Sequence, residues 1–444
     1  MIMGIIFFIL FTLAEIALVV LTFTKFREKA AWRRNRAIIR AAEVVLLLGM
    51  ILIPTVNMKW RFFGALIVLA VRLLISGIVW LVMRKKSNGL RKKPVTVFNC
   101  VLSMVLIAFS LVPAFIFTNY NGLPTTGEYK VKEASAILVD NNRVDEFESD
   151  GSYREVPAHF YYPENAEGEY PLVIFSHGAF GYYQSNFSTY AELASNGYIV
   201  VALDHPHHAA VTKDTDGKII TVDQEFVNDA MEIGNGDSVS AEQIYSVTKE
   251  WLELRAADES FVIDCIKEAK KSGELSDAWH SDDSTQVLGV LKMTDTDKIG
   301  AMGHSLGGAA GIELGRERDD IDTVIDLDGT ALGEITEVKN GEFVGDPAPY
   351  PVPVLVLAHG ASSDDNITEE MVTNAKDGKL VLCPKANHMD VTDMSMLSPF
   401  LSNMLSGESK VDSEAFMQDI NAAVLNWFDY YLKNEGTLKI EEQY

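Results

Sequence analysis

Three short stretches of the chain carry residues that could do chemistry together. The first is Gly303-His304-Ser305-Leu306-Gly307, which follows the apolar run Ile299 to Met302 and leads into Gly308-Ala309-Ala310-Gly311-Ile312. A serine between glycines on a strand-to-helix turn is presented with its hydroxyl exposed, because neighbours without Cβ atoms let the backbone fold tightly around it. A helix starting at that point directs N–H groups and the positive end of its dipole toward a developing oxyanion. The same five letters also occur in plain tight turns. The apolar run before them and the small residues after them favour a nucleophile, and Ser305 anchors that reading.

The second stretch is Val173-Ile174-Phe175-Ser176-His177-Gly178-Ala179-Phe180-Gly181. An apolar strand ending in His-Gly is where a serine hydrolase forms the other half of its oxyanion hole. The expected donors are the backbone N–H groups of Ala179 and Leu306, and losing one such donor costs about 3–4 kcal/mol of transition-state stabilisation. His177 is expected to orient the loop, not to act as a base. The third stretch is Lys385-Ala386-Asn387-His388-Met389-Asp390, just past the last strand-like run. A serine nucleophile needs a histidine to take its proton and a carboxylate to fix that histidine's tautomer. His388 stands where the order serine, acid, histidine requires it. The acid is open on spacing alone. Asp326 and Asp328 end the strand after the turn, and Asp364 and Asp365 follow the next one.

Two other features compete for attention. Asp204-His205-Pro206-His207-His208 has the flavour of a zinc site, but no partner run elsewhere completes a ligand pattern, and a cleft-lining loop is the expectation. The chain has three cysteines, of which Cys265 and Cys383 could pair at most. No metal or organic cofactor is needed for the chemistry above.

The elements that must position these residues read as alternating strands and helices. Strand-like runs lie at Leu172 to Phe175, Tyr198 to Leu203, Ile299 to Met302, Thr323 to Leu327, Val352 to Leu357 and Leu380 to Leu382. Continuous apolar runs imply a sheet buried on both faces, hence mostly parallel and covered by helices. Helical spacing is evident at Tyr190 to Ser195, Ala241 to Lys271 and Ser413 to Lys433, the last with Phe416, Ile420, Val424, Trp427, Phe428 and Tyr431 on one face. The pattern is an α/β doubly wound domain. Lys213 to Gly236 reads as an acidic excursion over the cleft, and Asn119 to Glu128 as a linker, dividing the chain into 1–118 and 119–444.

The front of the chain is different in kind. Residues 1–117 hold 16 basic and 3 acidic side chains, a net of +13, and the rest hold 22 and 59, a net of -37, which together give the -24 of the whole. The 48% hydrophobic content excludes intrinsic disorder, and the acidic bulk argues against a nucleic-acid partner. Four stretches are long enough to cross a bilayer: Ile2 to Thr24, Ala37 to Val56, Phe62 to Met83 and Val95 to Phe117. The first lacks the basic start of a signal peptide and is read as a retained helix. The basic first and third connections belong in the cytoplasm, which puts both termini and the acidic domain outside, on a multi-pass protein of the cell membrane. Glu15, Glu43 and Arg72 lie in or near these spans; such residues either pair between helices or mark a site.

The stretches Tyr170 to Gly178, Ala194-Ser195-Asn196-Gly197-Tyr198-Ile199-Val200-Val201 and Gly303 to Ala309 resemble the platelet-activating factor acetylhydrolase family over roughly Tyr170 to His388. The resemblance implies an α/β-hydrolase fold and calcium-independent hydrolysis of short or oxidised acyl groups from phospholipids. It matches the family's acid to Asp328, its histidine to His388 and its oxyanion donors to Ala179 and Leu306. Bacterial polyesterases and cutinase-like enzymes share the same motifs. The expectation is therefore a membrane-anchored serine ester hydrolase acting on a lipid or lipophilic ester. General carboxylesterase, polyesterase and dienelactone-type activities are its rivals within enzymes. A membrane sensor or transporter with a ligand-binding hydrolase-like domain is the rival from another class. The sequence does not reach the oligomeric state.

Overall fold

The computed structural model describes residues 2–24, 28–83, 89–235, 239–360 and 366–444. They form two compact units, Met1–Gly122 with Ser395–Met404, and Leu123–Met394 with Leu405–Tyr444.

The first unit is built on α1 (Ile2–Thr24), α2 (Lys29–Ile51), α3 (Phe63–Met83) and α4 (Lys93–Ser110), with α1 against α4 and α2 against α3. Among the described residues three helical stretches, Ile2–Thr24, Lys59–Met83 and Lys93–Ser110, are long and apolar enough to cross a bilayer. The expected fourth span falls short. It is the apolar half of α2, whose other half carries Lys29, Arg33, Arg34, Arg36 and Arg40. The basic connections around Arg27 and Lys85 lie partly outside the described residues. Ile5, Ile9, Leu13, Ile67, Leu74 and Leu81 point outward, while Glu15, Arg40 and Glu43 are buried. Glu15 bonds both Arg40 and Arg72. Arg40 Nη1 also reaches Glu43 Oε2 at 2.8 Å, and Arg72 Nη2 donates to Ser103 Oγ at 2.6 Å. Glu15, Glu43 and Arg72 are thus joined through Arg40, which the sequence reading counts with the basic first connection and which the structure buries within α2. Ser395–Met404 folds onto this unit: Thr118 N–H donates to Leu397 O at 2.8 Å, and Ser398 Oγ to Ile116 O at 3.0 Å.

The second unit is organised by one sheet of nine strands. They are β1 (Val131–Val144), β2 (Tyr153–Pro163), β3 (Tyr170–Ser176), β4 (Ile199–Leu203), β5 (Trp279–His280), β6 (Thr294–His304), β7 (Thr323–Leu327), β8 (Val354–His359) and β9 (Gly378–Cys383), in the order β9-β8-β7-β6-β3-β4-β2-β1-β5. From β4 to β9 across the sheet the neighbours are parallel, while β2, β1 and β5 add on antiparallel. This is the α/β-hydrolase arrangement. β4 and β7 are buried along their whole length because helices cover both faces. β1 and β2 escaped the sequence reading. The inward positions of β1 are Ala134, Ala136, Leu138 and Asp140, a weak apolar signal among polar neighbours.

The helices that serve the site are α5 (Phe187–Ser195), α6 (Ala241–Ser272), α7 (Leu306–Glu317) and α8 (Ser413–Phe428). α6 starts at Ser240, whose Oγ accepts the Gln243 N–H at 3.2 Å, and stops at Gly273 with φ 77°. α7 lies close against the sheet because it begins with small residues. A Cβ on Gly307 would collide with the Ser176 backbone, and one on Gly308 with the Asp326 carboxylate. α8 buries Phe416, Ile420, Val424, Trp427 and Phe428, the face the periodicity predicts. The acidic excursion after Val211 is a small hairpin, Val211–Lys213 with Ile219–Thr221, followed by the helix Gln224–Asn235. That helix sets Phe226 into an apolar cluster with Leu306 and Ala309, with Ala179 packed against it.

Candidate active site

Ser305 sits where β6 turns into α7, with φ 54° and ψ −123°. A non-glycine residue rarely adopts this backbone, and such strain persists only where the surroundings hold it. The surroundings here are two glycines: a Cβ on Gly303 would overlap the Gly307 backbone. The Ser305 N–H is tied to Leu327 O at 3.0 Å, which fixes the turn to the end of β7.

One residue past that anchor is Asp328, buried and also at positive φ, 61°. Its N–H donates to Leu357 O at 2.8 Å, so the backbones of β7 and β8 set the direction of its carboxylate. His388 bridges the two side chains. Its Nδ1 lies 2.5 Å from Asp328 Oδ2, and its Nε2 lies 2.9 Å from Ser305 Oγ. A carboxylate accepts only, so Nδ1 carries the proton and Nε2 is left to accept the serine hydroxyl. Burial alone would raise the Asp328 carboxyl, but hydrogen bonds from His359 and His388 outweigh it and hold it at about 2. The group is an anion at any ordinary pH.

Among the alternatives for the acid, Asp326 turns elsewhere. Its Oδ1 accepts the Gly329 N–H at 2.8 Å beneath the turn. Asp364 and Asp365 lie outside the described residues.

His359 was not anticipated. At the end of β8 it meets the far side of Asp328, with Nδ1 at 2.7 and 2.8 Å from the two carboxylate oxygens and its N–H on Oδ1 at 2.7 Å. The hydrogen bond to Asp328 raises its pKa. A histidine closing an apolar parallel strand next to the strand of a candidate acid was the available signal, since ligand-facing residues collect at the carboxyl ends of such strands. Asp328, His359 and His388 bring one ligand atom each within 4.8 Å of one another, and a cation could share them. In this arrangement the same atoms are joined by hydrogen bonds.

The loop after β3 carries Ala179, and Leu306 opens α7, where the first N–H groups have no acceptor within the helix. The loop is tight. A Cβ on Gly178 would meet His304 Nδ1 at 2.7 Å, Phe180 has φ 62°, and Gly181 N–H returns to Gly178 O at 3.0 Å. His177 holds this turn as expected. It is fully buried, its Nδ1 is 2.7 Å from Gly178 O and its Nε2 accepts the His205 N–H at 3.3 Å. Burial, with the Arg255 charge beside it, keeps it well below the usual histidine range. His304 is likewise held neutral by burial, at about 3, and sits 3.1 Å from His388 O.

Behind the loop runs a charged network that the sequence reading missed. Arg255 donates to His177 O, and its Nη1 lies 3.3 Å from Ser176 Oγ. His205 joins Ser176 Oγ at 2.8 Å to Asp258 Oδ2 at 3.0 Å. Asp258 also receives Arg154 Nη2 at 2.8 Å and Arg143 Nη2 at 2.5 Å. Burial would raise its pKa, but Arg154, His205 and Arg143 hold it well below the carboxylate range. The signal was that Arg255, Asp258 and Glu259 share the inward stripe of α6 with Leu252, Val262 and Ile263. The Asp204-to-His208 run does not converge on a point: His205 serves this network, His207 stacks on Phe147 and His208 on Phe226. Cys100, Cys265 and Cys383 are buried and free.

Comparison with known proteins follows the same lines. Residues 149–441 match the family described as platelet-activating factor acetylhydrolase, isoform II. A platelet-activating factor acetylhydrolase of Cavia porcellus is 27% identical over 296 residues, covering 63% of this chain and 61% of that protein. One of Canis lupus familiaris is 29% identical over 171 residues, 34% of this chain and 33% of its own. The chain thus spans less than two thirds of the length of these relatives. Among solved structures, a ferulic acid esterase from Streptomyces cinnamoneus superimposes with a TM-score of 0.53 at 20% identity, covering 72% of this chain and 95% of that one.

Proposed function

The chain belongs to the platelet-activating factor acetylhydrolase isoform II family, and we propose that it is a membrane-anchored serine hydrolase that cleaves carboxylic esters, with the short or oxidised acyl chains of phospholipids as substrate class. The observation that carries this reading is the unbroken line from Ser305 Oγ through the His388 imidazole to the Asp328 carboxylate, set on a strained strand-to-helix turn.

In the mechanism, Ser305 Oγ attacks the ester carbonyl carbon while His388 Nε2 takes the hydroxyl proton. Asp328 keeps the imidazole in the reactive tautomer and stabilises the imidazolium. The Ala179 and Leu306 N–H groups receive the negative charge that develops on the carbonyl oxygen. Collapse of the tetrahedral intermediate expels the alcohol, which takes the proton from His388. Water, deprotonated by the same nitrogen, attacks the acyl-enzyme and releases the acid with regeneration of Ser305. His359 and the Arg255–Asp258 network hold the acid and the oxyanion loop in place.

Membrane anchoring is supported by the outward apolar faces of α1, α3 and α4. We take α2 to cross with them, its Arg40 and Glu43 buried together and Arg40 paired with Glu15 of α1. Counting α2, the basic connections fall on one side and both termini on the other, which sets the hydrolase outside the cytoplasm.

A fluorophosphonate probe applied to membranes expressing the chain should label the wild type and leave Ser305→Ala unlabelled. Equal labelling removes Ser305 from the mechanism. A series of p-nitrophenyl and phospholipid esters of increasing acyl length should then show turnover falling as the chain lengthens. A reporter fused after Tyr444 that is active only in the cytoplasm would reverse the orientation.

A further inference from the structure

Between the helices of the first unit is a cavity of about 250 Å³ whose lining includes Trp32, Arg36, Arg72, Thr96 and Asn99. Its charges do not balance. Among the described residues Arg36, Arg40 and Arg72 line it with Glu15 as the one acidic side chain, which is shared by Arg40 and Arg72, while Glu43, off the lining, is bonded to Arg40. Arg36 lies 4.8 Å from the Trp32 ring centre. Three buried donors on this lining have no hydrogen-bond partner among the described residues: Arg36 Nε, Arg72 Nη1 and Trp32 Nε1. An arginine N–H and an indole N–H can only donate. What is missing around the cavity is therefore an acceptor, and the surplus charge says it is an anion.

We infer that this cavity binds a phosphate anion, either the headgroup of an anionic phospholipid or free phosphate. The inference rests on the reading of the first unit as a membrane anchor. A phosphate presents oxygens in a tetrahedral array and can take donors from separate helices, whereas a carboxylate is matched by one planar guanidinium fork. The donors here come from α2 and α3. The position also fits. Trp32 is three residues into α2 and Arg36 seven, about 5 and 10 Å from Lys29 at the helical rise. That is the end of the bundle with the basic connections, where anionic headgroups gather.

The test uses the full-length chain in maltoside micelles, followed by native mass spectrometry with phosphatidylglycerol, diacylglycerol and inorganic phosphate as probes. Phosphatidylglycerol should bind at least tenfold more tightly than diacylglycerol. Arg36→Gln and Trp32→Phe should each weaken it severalfold or more, with Arg36→Lys recovering part of the loss. Trp32→Phe keeps an aromatic ring at the position and removes the indole N–H, so it reports the site even if Arg36→Gln lowers the melting temperature. Displacement of the lipid by submillimolar phosphate identifies the free anion as the ligand; lipid binding that resists phosphate identifies the headgroup. Equal binding of the two lipids with no phosphate binding, or binding indifferent to both Arg36→Gln and Trp32→Phe, overturns the proposal. Carbonate extraction of the chain from membranes would instead break the anchor reading, and the phosphate arm still reports on the cavity in that case.

Discussion

In the helical unit Glu15, Arg40 and Glu43 are buried while Ile9, Leu13, Leu74 and Leu81 face outward. In the hydrolase unit Leu172, Ile174, Val201, Ile299 and Val356 form the core, yet Arg154, Arg255 and Asp258 are buried as completely. The first unit sorts its side chains in the way a bilayer would require, with Glu15, Arg40 and Glu43 inward and apolar side chains outward. The second sorts them as water demands, so each charge it buries must be held by partners. Its buried ions lie behind the loop that carries Ala179, where Arg255 holds the His177 backbone in place. In the first unit the ions line a cavity between helices. The same residue types are thus an internal scaffold in one unit and a lining in the other.

The largest expected effect isolates chemistry in the second unit. Ser305→Ala or Asp328→Asn should lower kcat on p-nitrophenyl acetate by about 10⁴-fold; substantial turnover in both variants would remove the site from the comparison altogether. Next is the scaffold. Asp258→Ala leaves Arg154 and His205 buried without their anion and should cost about 3–5 kcal/mol, read as a lower denaturation midpoint. If it is neutral, the network does not hold the fold.

A third prediction uses pH. Burial pushes the Asp393 carboxyl up to about 7, where it accepts the Ser188 N–H at 3.0 Å. Its folded pKa is above the unfolded value, so its contribution is complete below about pH 4 and is lost as pH rises through about 7. Asp393→Asn should flatten stability between about pH 4 and 7, and an unchanged slope would assign it to other groups. A fourth tests the outer face. Leu74→Arg should cost about 3 kcal/mol in a bilayer but under about 0.5 kcal/mol if that face meets water; thermal stability in nanodiscs distinguishes the two. The smallest effect concerns His359→Gln, which should lower kcat by about tenfold through a less firmly held Asp328, with KM little changed.

The strand-to-helix turn at Ser305, the loop of His388 and the parallel strands were legible because each leaves a local mark: glycines around a serine, and continuous apolar runs. Asp328 needed the resemblance, since Asp326 shares its strand and only the backbone direction after Leu327 separates them. β1 was hidden because small inward residues give alternation no contrast, and β2 because Arg154, Pro157 and His159 interrupt its apolar residues. The buried charges of α6 left no mark, since charged residues on a helix usually form its solvated face. Arg40 was counted with the basic first connection because it closes a run of arginines. The pairing that satisfies it comes from Glu15, a residue far away in the chain, and no local pattern records that.

The chain passes between the two units three times, at Gly122, Met394 and Met404. A hydrolase domain strung behind a single tether could be shed by one proteolytic nick, as many surface enzymes are. Here a cut after Gly122 leaves Ser395–Met404 still folded into the helical unit through Thr118 and Ser398. Cleavage at that one point should therefore leave the two fragments together, read as co-purification of Leu123–Tyr444 with the helical unit. A soluble form truncated to begin at Leu123 would carry a ten-residue insertion, seven residues beyond His388, stripped of the surface it folds against.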